Sequence, residues 1–334
     1  MKILLIRFSS FGDVVFTLPL ARALKSHRPG VEVAWAIEEP LAPLVEGAAF
    51  VDRVLPARTR VWRHSLLSRG TRGEIAVFLR SARSFAPDLV VDAQGLFKSA
   101  WATLLVPAAR KVGYGPGTAT ERINCLTTRE WVDARGRPHA IDRSLALAEH
   151  VAGRGGWDRI PDVSHLVAQP DAAVDAWLDG RGGRPFALLQ PWSSRGAKEW
   201  GAESVLDVAG KLAERGLEPV VKWGPAEEGR AAALAAASGG RLVLAPRAGP
   251  AATARLASRA SLVIGADSGP THLAAATGTP TLALFGPTDP ARFGPAGGRT
   301  ATARGGPGSY NGGGEGPSLP SADEILRSID RLLP

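Results

Sequence analysis

Short apolar runs of strand length alternate with helix-length amphipathic stretches along most of the chain, and that alternation restricts the fold more than any other feature. KILLIR (2–7), VEVAWAI (31–37), DRVLP (52–56), DLVVDA (88–93) and RKVGY (110–114) read as strands, with helical patterns over 14–26, 72–85 and 97–105. The pattern restarts with FALLQP (186–191), LEPVVKW (217–223), RLVLAP (241–246), SLVIGA (261–266) and TLALFG (281–286). Helices fall between them near 202–215, 227–237 and 250–258 and from 270 onward. Strands joined by helices are crossover-connected, which makes a parallel sheet covered on both faces. The expected class is α/β, with two facing, doubly wound, Rossmann-like domains and a cleft between them.

The length of 334 residues fits two such domains. Expected boundaries are an N-terminal domain over 1–165, a linker over 166–184, a C-terminal domain over 185–320 and a closing helix over 321–334. The linker is placed by the glycines and prolines between 151 and 184. The glycine-rich 294–317 reads as loop. The single cysteine, Cys125, rules out an internal disulfide and any cysteine metal framework. No apolar run approaches the ~20 residues that span a bilayer, and MKILLIR is too short for a signal-peptide core.

Charge is uneven. Residues 1–165 hold 23 Lys and Arg against 16 Asp and Glu, a net +7 of the total +8. Arg53, Arg58, Arg60, Arg63, Arg69, Arg72, Arg80 and Arg83 share their stretch with one acid, Glu74. Such a cluster either concentrates an anionic partner through its summed field or is simply a solvated face. Sparse aromatics and the lack of a reader motif argue against nucleic acid.

Ligands of doubly wound sheets bind beyond the carboxyl ends of strands, so the loops after strands hold the candidate site. In RFSSFGDVV the first strand runs into Ser10, Gly12 and Asp13, where the carboxylate either caps a helix or serves as an acid or base. DAQGLFKSAW (92–101) offers Gln94 and Lys98, for a sugar or phosphate or for capping. LQPWSSRGAKEW (189–200) offers the hydroxyls of Ser193 and Ser194 and the cation of Lys198. Glu227 and Glu228 start a helix, either favouring its dipole or accepting from ribose hydroxyls. In GADSGPTH, Asp267 and Ser268 offer caps, Gly269 removes bulk, and His272 adds a donor beside N–H groups suited to a diphosphate. There is no GxxxxGK[ST] loop, no D-x-D pair and no metal-ligand spacing, so any diphosphate site relies on helix N-termini and basic side chains. No cofactor is expected.

RFSSFGDVVFTLPLARALK, VDAQGLFKSA, the Lys-Glu-Trp of WSSRGAKEW and above all IGADSGPTHLAAATGTPTLALFGPTDP resemble glycosyltransferase family 9, the ADP-heptose:lipopolysaccharide heptosyltransferases. The resemblance runs from residue 1 to about residue 290 in the family's order. It implies a GT-B fold acting without metal, with the nucleotide-sugar on the C-terminal domain and the acceptor on the N-terminal one. The acceptor would be the anionic Kdo/heptose inner core on lipid A, reached by a cytoplasmic enzyme peripheral to the inner membrane. Asp13 then becomes the base of an inverting transfer, and Lys198 stabilises the leaving diphosphate. Ser193, Ser194, Glu228, Asp267, Ser268, Gly269 and His272 fall on the donor side. Ser10, Gly12, Arg60, Arg63, Gln94 and Lys98 fall on the acceptor side. Pro270 and Arg195-Gly196-Ala197 depart from the family pattern. Competing readings are transfer with another nucleotide-sugar or acceptor, a GT-B-like nucleotide-sugar epimerase, and a nucleotide-sugar-binding protein without catalysis.

Overall fold

The computed structural model describes residues 1–193, 195–305 and 318–333. It divides into two compact units, Met1–Pro161 and Asp162–Pro334.

In the first unit the elements are β1 (Lys2–Ile6), α1 (Phe11–Ser26), β2 (Glu32–Glu38), β3 (Arg53–Ala57), α2 (Thr59–Trp62) and α3 (Arg69–Phe85). Then come β4 (Leu89–Asp92), α4 (Phe97–Leu105), β5 (Arg110–Tyr114), β6 (Glu130–Val132) and α5 (Ala140–Ala152). The sheet order is β3-β2-β1-β4-β5-β6 and every pairing is parallel. Ile3, Leu4, Leu5 and Ile6 of β1 are all fully buried, as expected of a strand covered on both faces. One face packs Phe8, Trp62, Phe78 and Phe85 beneath α3 and α4. The other is covered by α1 and α5.

The second unit contains α6 (Ser164–Ala168), α7 (Ala172–Asp179), β7 (Phe186–Gln190), α8 (Ala202–Glu214), β8 (Glu218–Val221) and α9 (Glu228–Ala237). They are followed by β9 (Val243–Leu244), α10 (Pro250–Arg259), β10 (Leu262–Ala266), α11 (Gly269–Ala276) and β11 (Thr281–Phe285). The unit closes with α12 (Pro290–Phe293), β12 (Thr300–Arg304) and α13 (Ala322–Leu332). Its sheet order, β12-β11-β10-β7-β8-β9, repeats the first: the opening strand lies centrally, beside the fourth. Each sheet therefore reverses direction once, between β1 and β4 and between β7 and β10. That reversal opens a crevice at the carboxyl ends of those strands.

Three expectations change. The stretch 166–184 is not a bare linker, because it lies inside the second unit and carries most of α6 and all of α7. Leu166 and Val174 are fully buried, and Arg255 of α10 pairs with Asp175 and donates to Val167 O at 3.1 Å. Of the glycines that suggest a linker, Gly153 ends α5, while Gly180, Gly182 and Gly183 end α7 and turn the chain into β7, the last two at φ of 59° and 77°. The helix expected from residue 14 begins at Phe11, which places Asp13 in its first turn. Within the expected loop 294–317, residues 300–304 form an edge strand, while 306–317 lie outside the described residues.

Candidate active site

In the first unit, the loops after β1 and β4 meet at the switch point. Gln94 joins them: its Oε1 accepts from the N–H groups of Phe8 and Ser9 at 3.0 and 3.1 Å, and its Nε2 donates to Ser9 O at 2.9 Å. Asp92, fully buried, accepts from Gln94 N and Gly95 N at 2.9 and 3.1 Å, and also from Thr103 and Asn124. These bonds fix the loop, and through them Gln94 positions Ser9.

Asp13 stands one turn into α1. Its Oδ2 accepts from Ser10 N at 3.0 Å and from Ser10 Oγ at 2.8 Å, while Arg7 Nη2 lies 2.7 Å from Oδ1. Arg7 is itself held by Ala93 O at 2.5 Å. Lys98 donates to Ser9 Oγ on the same side. Gly12 is half-buried beside Asp13. The Asp13 side chain keeps 29% of its surface exposed, enough for a hydroxyl to reach it.

Burial alone would raise the Asp13 pKa. The Arg7 charge, both Ser10 bonds and the more distant Lys98 outweigh burial and hold it below the ordinary aspartate value. Asp13 is therefore ionised, and the stability it contributes is present above its unfolded pKa of about 3.9 and lost as pH falls through the lower folded value. Removing the arginine charge leaves burial as the largest influence, so Arg7→Gln is expected to move the Asp13 pKa upward. A carbon-detected NMR titration of the Asp13 carboxyl reads this directly, and an unmoved titration contradicts the assignment of Arg7. Burial lowers the Lys98 pKa, with Arg7 and Arg60 adding to that and Glu38 and Asp13 opposing it. Arg60 thus belongs to the same neighbourhood. Arg63 does not join it: exposed, it donates to His64 Nε2 at 2.8 Å.

The second unit builds a different cluster at its own switch point. Asp267, one residue past β10, is buried. Its Oδ2 receives Lys198 Nζ and Thr288 Oγ1, both at 2.5 Å, and its Oδ1 lies 3.0 Å from His272 Nε2. Lys198 comes from the turn after β7, Thr288 from the loop after β11 and His272 from α11. Burial would raise the Asp267 pKa, but the His272 bond and charge, and then Lys198, hold it well below the usual carboxylate range. Stability from this cluster is likewise present above the unfolded pKa and lost as acid titrates the folded carboxylate.

The capping expectation for Asp267 is corrected here. Ser268 is the N-cap of α11 by position, and its hydroxyl meets Thr271 Oγ1 at 3.2 Å rather than a backbone N–H. Asp267 turns instead to cationic and hydroxyl partners, whose charge-assisted bonds are stronger than one to a neutral amide. His272 is buried behind Asp267 and is not a donor on an open helix face. What remains for an anion is the first turn of α11. Its early N–H groups have no intrahelical acceptor, and Pro270 supplies none, so Gly269 and Thr271 are the donors. At Gly265 a Cβ would collide with the Thr271 side chain and come within 3.0 Å of Gln190 Cβ, so glycine there lets α11 seat close to the sheet.

Ser193 is half-buried in the loop after β7, and Ser194 lies outside the described residues. Glu227 is occupied by its own turn, accepting from Gly224 N at 2.7 Å, whereas Glu228 is exposed. Arg230 pairs with Glu199 at 2.6 Å and lies over the Trp192 ring, which ties α9 to the loop after β7. Sequence reasoning missed Arg7 and Thr288. Thr288 sits inside a motif already singled out. Arg7 opens RFSSFGDVV itself, but its hold on Asp13 is fixed by Ala93 O, brought from the loop after β4. Among the described residues no cluster of three His, Cys, Asp or Glu could hold a metal, and no helix is long and apolar enough to cross a membrane.

Two doubly wound units in one chain, each with polar groups gathered at its switch point, are the architecture called GT-B. The model of glycosyltransferase family 9 (heptosyltransferase) matches residues 76–307. Lipopolysaccharide heptosyltransferase 1 of Salmonella typhimurium is 31% identical over 70% of this chain and 73% of its own length. Its Pseudomonas aeruginosa counterpart is 30% identical over 74% and 68%. Among solved structures, E. coli heptosyltransferase WaaC with ADP-2-deoxy-2-fluoro heptose superposes with a TM-score of 0.82 at 28% identity, covering 99% of both chains. This chain belongs to glycosyltransferase family 9 and is a glycosyltransferase.

Proposed function

We propose that the protein transfers heptose from ADP-heptose to the anionic inner core of lipopolysaccharide, with inversion and without metal, at the cytoplasmic face of the inner membrane. The observation that carries the reading is the ionised, partly open Asp13 at the switch point of the first unit, flanked by Arg7 and Lys98. Similarity to the lipopolysaccharide heptosyltransferases, and to a structure holding an ADP-heptose analogue, supports the donor and the acceptor. The first unit takes the acceptor and the second takes the nucleotide.

Asp13 accepts the proton of the acceptor hydroxyl as its oxygen bonds to the anomeric carbon. The bond from that carbon to the phosphate oxygen breaks, and ADP leaves with the electron pair. A positioned base of this kind contributes roughly 10²–10⁴ in rate. Lys198 and the N–H groups of Gly269 and Thr271 stabilise the negative charge gathering on the diphosphate. Ser193 and Ser194 add hydroxyls, and Glu228 accepts from the ribose because Glu227 is already engaged. Asp267 and His272 hold Lys198 in place. Ser10 orients Asp13, Gly12 keeps its approach clear, and Lys98 and Arg60 face acceptor phosphates.

The test is a transfer assay with ADP-heptose and Kdo-lipid A acceptors, run with and without EDTA beside a panel of other nucleotide-sugars. Equal transfer with EDTA and preference for ADP-heptose are expected. Loss of transfer in EDTA removes the metal-free mechanism, and preference for another nucleotide-sugar removes the donor assignment.

A further inference from the structure

Between α2 and α3 the chain makes a short loop whose composition and anchoring do not serve the first unit's own packing. Its base is fixed. Trp62 is buried against Phe78 and Trp101, at ring distances of 5.9 and 6.0 Å, and donates to Glu74 at 2.7 Å. Thr71, also buried, meets Ser65 Oγ at 2.8 Å and closes the loop across residues 66–70. Backbone bonds from Ser65 N to Trp62 O and from Ser68 N to Ser65 O stiffen the rise. The tip is apolar and open: Leu66 is 57% exposed, and Leu67 is 91% exposed, the highest of any large apolar side chain among the described residues. Around it Arg60, Arg63, Arg69 and Arg72 are exposed, and none forms an ion pair among the described residues, unlike Arg58, which pairs with Glu39 and Glu74.

A fixed base, two bare leucines and a ring of unpaired cations match an anionic bilayer surface, which takes leucine below the headgroups and arginine at their level. We propose that the segment 60–72, with the α2–α3 loop at its tip, docks the protein on anionic phospholipid by inserting Leu66 and Leu67. This deepens the proposed function, in which the acceptor is carried on lipid, but the contact is with bulk phospholipid and needs no acceptor. Each arginine near such a surface strengthens partition about fivefold, from about 1 kcal/mol apiece, and salt screens that share.

The test uses the full chain and sedimentation with vesicles of phosphatidylglycerol and phosphatidylethanolamine that contain no lipid A. Binding is expected, weakening at least about tenfold in the Leu66→Ser/Leu67→Ser double variant and unchanged in Ile160→Ser, an exposed apolar control elsewhere on the unit. As a second measurement, Leu67→Cys in a Cys125→Ser background carries a polarity-sensitive dye, which is expected to shift to the blue when vesicles are added. No binding by the parent, equal binding by the leucine variant, or a dye that stays in water while the protein is bound each overturns the docking loop. Because the vesicles lack acceptor, transfer to Kdo-lipid A by a chain that ignores them overturns the loop alone and leaves the transferase reading standing.

Discussion

Asp13→Asn lowers turnover at least ~100-fold while leaving ADP affinity close to that of the parent. The side chain stays nearly the same size, but an amide cannot take the acceptor proton. The groups assigned to ADP all belong to the second unit, so donor binding is insulated from the change. A modest loss of stability accompanies it, since Arg7 loses its ion partner and Ser10 a charged acceptor. Steady-state kinetics with calorimetric ADP binding separates the effects. Turnover within a few fold of the parent sinks the assignment of the base, whatever happens to stability.

Lys198→Met is expected to weaken ADP binding and turnover together and to destabilise the second unit. Removing the lysine leaves Asp267 buried with a reduced set of partners. Breaking a buried ion pair costs ~3–5 kcal/mol, and His272 and Thr288 keep the loss toward or below the lower end. The informative companion is Lys198→Met/Asp267→Asn. With both charges gone no orphaned ion remains, so most of the stability returns. ADP affinity does not return, because the cation that faces the diphosphate is still missing. Recovery of ADP affinity along with thermal stability in the double variant would show that Lys198 is only a strut.

The sequence carried the architecture well where burial on both faces made strands continuously apolar, as at KILLI and LVVD. It was weak at edges. TATAR (300–304) pairs, among the described residues, only with β11 and alternates small side chains with little apolar content, so nothing distinguishes it from the glycine-rich loop around it. EWV of β6 is three residues long, too short for a strand pattern to show. At 166–184 glycines suggest a linker but in fact end a helix and turn into the next strand, and the signal of packing is the apolar Leu166 and Val174, both buried.

The candidate site was legible as motifs but not as pairings. Asp13, Lys98, Lys198 and Asp267 all stand shortly after strands, in the connecting loop or the first turn of the helix that follows, and a doubly wound topology brings such segments together. Which groups meet is decided across the sheet. Lys198 and Asp267 are 69 residues apart in sequence, and Arg7 reaches Ala93 86 residues on. Both contacts follow from the neighbouring of β7 with β10 and of β1 with β4, a fact of topology that no local window contains. Local propensity likewise suggested that Asp267 caps a helix, and a lysine from another strand's loop won it instead.

The anomeric configuration of the transferred heptose tests the central claim most directly. Direct attack by a hydroxyl deprotonated by Asp13 predicts a product whose anomeric centre is opposite to that of the ADP-heptose supplied, read from one-bond carbon–proton couplings in the NMR spectrum. A product that keeps the donor's configuration would contradict single displacement, and with it the role given to Asp13.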